Sequence, residues 1–482
     1  MGRPARAPAS PSLLLALALP LALPLTTACG DSQSATESDS GTSPVSGGSS
    51  PMSTTAGPAT GSESGASATS SVSGTATDGA TSMTMTTQAG SSGPIYDVGS
   101  PETTGTGTGD CTACGFVLDF SYIWIANAEQ GTVSKIDTVT MEEVGRYYTR
   151  PDGGGSPSRT SVNFNGDVAV ANRYGGLTKY YARHADCDEM ANGQPGLQTS
   201  TGADDILPWG QDDCLAWHTP FDVSNQRPVA WEQGTFNPDT CKWEDARVWT
   251  VASANKGLPG LGGPGGVNVY RLNGDTGAIE DTVAIETFPG AQFGAYGGAV
   301  DPSGNLWFVP QGLPFTPDNK KMAFVNAQNL AYEIHTIPQD VASYGITVDA
   351  EGYVWVSSTG GSGVARYNPI SKTWDYPDTA TLSLGGLAQG ADELVWVSTS
   401  GGAMGIEPGS LDVIKTLTIP GGGTKGVGVD RDGFVWLIND TTAYKCDSDT
   451  NQCDSYAGLN DPYTYSDMTG FQLKNTTCGP PT

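Results

Sequence analysis

Positive charge is scarce in this chain. Its 482 residues carry 23 Lys and Arg against 51 Asp and Glu, a formal net charge of −28. Binding to phosphate backbones needs a basic surface, so this balance excludes a nucleic-acid-binding protein. Charged residues of both signs make up 15%, well below the roughly 25% of an average globular chain. There are three histidines, and no Lys or Arg occurs between Arg6 and Lys135. Beyond the N-terminus no run is apolar enough to span a bilayer, which takes about 20 residues. Glycine and proline are abundant instead, at 65 and 32, and together they disfavour a helix-rich fold. Hydrophobic residues, 37% of the chain, are unevenly spread, so one part of the sequence can build a core and another cannot.

The N-terminus reads as an export signal over residues 1–28. Arg3 and Arg6 are followed by a Leu/Ala/Pro run at 13–25, which fits a signal h-region and is too short for a membrane span. The run ends in Leu25-Thr26-Thr27-Ala28-Cys29-Gly30. This resembles the bacterial lipobox, with Thr26 standing where an aliphatic residue is usual. The resemblance implies lipidation at Cys29 and anchoring in the cell envelope, at the outer membrane or cell surface. Without Arg3 and Arg6 the net charge becomes −30, a surface that repels anionic lipid and nucleic acid. Residues 29–110 are Ser, Thr, Gly, Ala and Pro, with hardly an aromatic before Tyr96. Such a stretch cannot offset its backbone entropy by burial and is expected to be a disordered tether. As a flexible coil it would reach on the order of 50 Å.

Residues 111–482 repeat. Gly-Ala-Val-Asp-Pro-Ser-Gly-Asn-Leu-Trp at 298–307 is matched by segments at 345–355, 386–396 and 426–436. Each reads as an apolar strand, a tight Asp/Gly turn and a second strand carrying Trp. The Trp spacings are 48, 41 and 40. Weaker copies centre on Trp124, Ala169 and Trp249, which makes seven. Repeats of about 40–50 residues with four short strands each indicate an all-β, seven-bladed β-propeller. The first copy has no opening strand of its own. The segment from Tyr465 through Asp467 to Lys474 is expected to pair beside Trp124 and close the ring, leaving no open sheet edge. The 80 residues between Ala169 and Trp249 exceed one repeat. A Cys-containing insertion at about 184–244 accounts for them, with Val229-Ala-Trp231-Glu232 opening the third blade.

Apart from Cys29, eight cysteines remain: 111, 114, 187, 214, 241, 446, 453 and 478. An even count in an exported chain implies disulfides, with 105 connectivities open. Cys446 and Cys453 flank a turn-rich hairpin and should pair. Cys478 should meet Cys111 or Cys114, because ring closure brings the ends together.

The strand, Asp/Gly turn and Val-Trp pattern resembles the streptogramin (virginiamycin B) lyase family and the wider NHL-type propellers. In those lyases catalysis is attributed to histidines on the propeller face, with a carboxylate and a magnesium ion. One such histidine position precedes the Gly that opens a blade. Here Tyr344 precedes Gly345, Tyr296 precedes Gly297 and Lys425 precedes Gly426, while His184, His218 and His335 fall elsewhere. An elimination needs a positioned base and acid, and no matched pair is visible.

The residue before each opening strand should face the channel mouth. In blade order these are Asp467, Arg159, Arg227, Tyr296, Tyr344, Gly385 and Lys425. Three cations and two tyrosines on one ring could hold a small anion, the Arg forks pairing with its oxygens; the alternative is a structural ring in which Arg159 pairs with Asp467. Asp447, Asp449 and Asn451 alternate oxygens as calcium loops do, without the Gly and Glu of an EF-hand, and read as a polar turn. Asp301, Asp349 and Asp430 are expected to bind turn amides. The whole reads as a monomeric envelope lipoprotein whose propeller binds or scaffolds a small molecule or an envelope protein. No cofactor is expected. The rival readings are a streptogramin-lyase-like carbon–oxygen lyase and a calcium- or glycan-dependent adhesin.

Overall fold

A computed structural model describes residues 118, 120–312, 319–338, 340–359, 363–377 and 383–478. The signal, Cys29, the tether and Cys111 and Cys114 lie outside these residues. Six four-stranded antiparallel sheets and one three-stranded sheet follow one another in chain order. They are the blades of a seven-bladed propeller. The second strands, which carry the repeat positions, are Tyr122–Asn127, Val168–Asn172, Arg247–Ser253, Leu306–Pro310, Val354–Ser358, Val395–Thr399 and Val435–Ile438. The three-stranded sheet is blade 1, and the tail completes it. The backbone N–H of Trp124 donates to Met468 O at 2.9 Å, that of Tyr463 to Ala126 O, and Asn127 forms a β-bridge with Pro462. Residues 461–468 therefore stand in for its inner strand.

The strand expected through Lys474 ends early. Gly470 takes φ +80°, a left-handed conformation that turns the chain cheaply only without a Cβ. Beyond it Phe471–Cys478 is a helix. Asp467 caps that helix: its carboxylate accepts from the amides of Thr469, Gly470 and Leu473. The helix seats against the far ends of two inner strands. Gln472 and Thr476 donate to Val348 O, and Asn475 donates to Gln389 Oε1. Phe471 and Leu473 pack into the neighbouring cores. One end of the central channel is thus stoppered by the chain's own tail.

The repeat residues hold the blades together. Trp124, Trp249, Trp355, Trp396 and Trp436 are fully buried. Asp349 and Asp430 each accept turn amides on one oxygen and the Trp355 or Trp436 indole N–H on the other. Asp301 does the same for Trp307. A second device was not read from the sequence. On the third strand, directly opposite the Trp position, stand Lys135, Lys179, Arg271, Arg366 and Lys445. Each reaches into the next blade and donates to the carbonyl just past that blade's third strand: Ala182, Gly274, Ala327, Pro408 and Thr138. The Lys445–Thr138 bond joins blade 7 to blade 1, so the same staple also closes the circle.

The long gap holds two excursions and two true strands. Leu215–Thr219 is the outer strand of blade 2, and Gln226–Trp231 is the inner strand of blade 3. One excursion precedes Leu215 and is clasped by Cys187–Cys214. The other is a small hairpin, Thr235–Asn237 with Lys242–Glu244. Cys446 and Cys453 sit directly opposite each other and are bonded. Cys241 and Cys478 are each engaged in a disulfide; the expected pairing of Cys478 with Cys111 or Cys114 falls on residues outside those described.

Candidate functional site

At the channel end away from the helix, the inner strands begin. Those of blades 2 to 6 slip register near their starts: between Pro157 and Arg159, along Gln226–Val229, between Ala295 and Gly297, Ser343 and Ile346, and Ser383 and Leu387. Such bulges re-aim side chains. Here they bring Arg159, Arg227, Tyr296 and Tyr344 to one place on the axis. Tyr296 and Tyr344 have ring centroids 4.9 Å apart, and Arg227 lies 4.8 Å over Tyr296. Arg159 lies 5.0 Å over Tyr296.

The tail supplies the rest. Tyr465 stacks on Tyr344 at 4.8 Å, and the Arg159 guanidinium lies 3.3 Å over its ring. The Tyr463 hydroxyl meets those of Tyr296 and Tyr344. Above Tyr463 stand Arg173, 4.3 Å from its centroid, and Lys425, 5.3 Å away. Tyr463, Tyr465 and Arg173 were not read from the sequence. The signal was there: Tyr463-Thr-Tyr465 places two tyrosines on one face of an extended segment.

Asp467 is not in this group. It caps the terminal helix at the opposite end, so the Arg159–Asp467 pair does not form. Lys425 stands at the rim, its ammonium 2.8 Å from Asp440 and 3.7 Å from Asp461. Gly385 contributes no side chain, and its carbonyl accepts from Ser357.

The electrostatics of the group are unusual. Arg159 is 1% exposed. Its Nη1 donates to Ser158 O at 2.5 Å, while Nε and Nη2 are buried with no hydrogen-bond partner. Burial, with the like charge of Arg227 nearby, pulls its pKa down to about 9. Arg227 is 2% exposed; its Nε and Nη2 bond Asn225 Oδ1 and Gly260 O, both neutral. The Tyr465 hydroxyl is buried without a partner. Burial raises the pKa values of Tyr296 and Tyr344, so these phenols keep their protons. The groups left without a partner here, Arg159 Nε and Nη2 and the Tyr465 hydroxyl, can all donate, which is the character of an oxyanion site.

The other sequence candidates lie elsewhere. His184 is in a short turn, His218 on the outer strand of blade 2 and His335 on the outer strand of blade 4. His218 bonds Thr178 and His335 bonds Tyr367. Burial lowers the His218 pKa to about 4 and lowers that of His335. Asp447 accepts the amides of Asp449 and Thr450, Asp449 pairs with Lys415, and Asn451 accepts from Thr418. Those oxygens serve a turn at the edge of blade 7. Among the described residues, no cluster of three or more His, Cys, Asp or Glu is arranged to hold a metal ion.

No family model matches the chain, and no curated protein matches it. Solved structures do. Virginiamycin B lyase from Staphylococcus aureus is 14% identical, over 64% of this chain and 89% of its own, with a TM-score of 0.43. AztD from Citrobacter koseri is 9% identical over 72% and 97%, TM-score 0.46. A functionally unknown protein from Desulfotomaculum acetoxidans is 12% identical over 71% and 96%, TM-score 0.47.

Proposed function

We propose that this propeller is a binding module that takes a small anionic ligand on its axis, among Arg159, Arg227, Tyr296, Tyr344, Tyr463 and Tyr465. Lys425 and Arg173 form the rim. One observation carries the reading: a fully buried guanidinium, Arg159, has two donors without acceptors and faces no carboxylate. A buried charge left so is costly to the fold, and an entering anion would offset that cost. A binding role is preferred to elimination because the three histidines stand on outer strands or in a turn, away from this group. The tethered-lipoprotein reading belongs to the same proposal. Lipid at Cys29 and the arm at 29–110 would hold the propeller off an envelope membrane, facing a small molecule or an envelope protein.

Two experiments test it. A thermal-shift panel of small anions on the purified protein should show a saturable rise in Tm that vanishes in Arg159→Ala; no anion shifting Tm would count against the site. Metabolic labelling with palmitate should mark the parent protein and fail to mark Cys29→Ala, which should leave the membrane fraction. A Cys29→Ala protein that stays membrane-bound would refute the anchor.

A further inference from the structure

The open donors of Arg159 define the ligand more closely, on the footing of the binding site proposed above. A guanidinium presents Nε–H and Nη2–H along one edge, pointing the same way, and this edge matches two oxygens held in one plane. In Arg159 that edge is the unpartnered one, because Nη1 is taken by Ser158 O. The face of the guanidinium is covered by the Tyr465 ring at 3.3 Å. Anion oxygens are therefore directed to approach in the plane of the fork. The same two nitrogens of Arg227 are already engaged by Asn225 and Gly260. One fork is unanswered, buried beside the rings of Tyr296, Tyr463 and Tyr465, and burial keeps the neighbouring Tyr296 and Tyr344 phenols protonated.

We infer that the axial site binds a monocarboxylate with a flat apolar body, its two carboxylate oxygens on Nε and Nη2 of Arg159 and its body against the tyrosine rings. A single planar carboxylate suits one fork. A phosphate brings further charged oxygens, which the ring faces would leave without donors. The Tyr465 hydroxyl, on the ring that covers Arg159, is buried without a partner and is a further unanswered donor.

Isothermal titration of the full-length protein with benzoate, benzamide, cyclohexanecarboxylate and inorganic phosphate tests this. Benzoate should bind one to one and saturably. Benzamide, which keeps the ring and loses the charge, should bind at least ten-fold more weakly. Cyclohexanecarboxylate should fall between them, and phosphate should not compete. Arg159→Lys keeps the charge without the fork and should weaken benzoate at least ten-fold; Arg159→Met should abolish binding, with circular dichroism and Tm reporting that each variant folds. If phosphate binds through Arg159 and benzoate does not, the monocarboxylate assignment is overturned while the anion site stands. If benzoate binds equally well to Arg159→Met, the assignment to this fork is overturned. If no anion binds at all, the proposed function falls with it.

Discussion

Arg159 is the residue on which function and stability pull apart. Its charge is buried with two hydrogen-bonding groups unanswered, partly compensated by cation–π contact with Tyr465. Replacing a buried, poorly answered charge by an apolar side chain of similar length is commonly neutral or stabilising by about 1–4 kcal/mol. Arg159→Met is therefore expected to melt no lower than the parent while losing the ligand. A melting temperature several degrees lower in calorimetry would show that the guanidinium serves the fold instead. Asp349 gives the opposite kind of test. Burial lifts its carboxyl to about 6, above the roughly 3.9 of an unfolded aspartate. Its proton is held more tightly in the folded state. That contribution is full below about pH 4 and is lost as the pH rises through 6. Burial lifts Asp467 to about 6 as well, against the pull of its backbone hydrogen bonds. Tm should thus rise as the pH is lowered from 8 to 5, and Asp349→Asn should flatten part of that slope.

The blade is the scale at which the sequence spoke most plainly. A Trp after an Asp/Gly turn is a local pattern, and each copy folds by the same local bonds: turn amides to one carboxylate oxygen, indole to the other. Those signals needed no knowledge of what packs against what. The cations opposite the Trp positions were equally regular and went unread, because their partners lie in the next blade, 42 to 95 residues away or, for Lys445, 307. Arg271 is the best placed to measure such a staple. It forms a two-pronged pair with Glu232 at 2.5 and 2.6 Å and donates to Ala327 O. Arg271→Met strands the mostly buried Glu232 and should cost about 3 kcal/mol; denaturant unfolding of Arg271→Met and of Arg271→Met/Glu232→Met should show the double variant recovering much of that loss.

At the scale of the whole molecule, the tail does two jobs, and the sequence disclosed only the first. Closure beside Trp124 followed from counting strands. The helix that stoppers the channel did not, because strand phase was carried past Gly470, and this assigned Asp467 to the wrong end of the axis. The same error hid Tyr463 and Tyr465, whose place in the group depends on where the tail enters. Truncation separates the jobs. Ending the chain after residue 470 removes the helix and keeps residues 461–468 on blade 1. That protein should fold, with a Tm reduced by loss of the helix and of the Cys478 disulfide and with the helix end of the channel unstoppered. Ending it after residue 460 also leaves blade 1 unpaired along its inner edge, and that protein should aggregate.

The most direct measurement of the axial site is anomalous diffraction from crystals soaked in 4-iodobenzoate. One iodine peak on the propeller axis, with carboxylate density on Nε and Nη2 of Arg159, is the result expected here. Iodine found only on the outer surface, with the Arg159 edge still unoccupied at saturating soak, would contradict it.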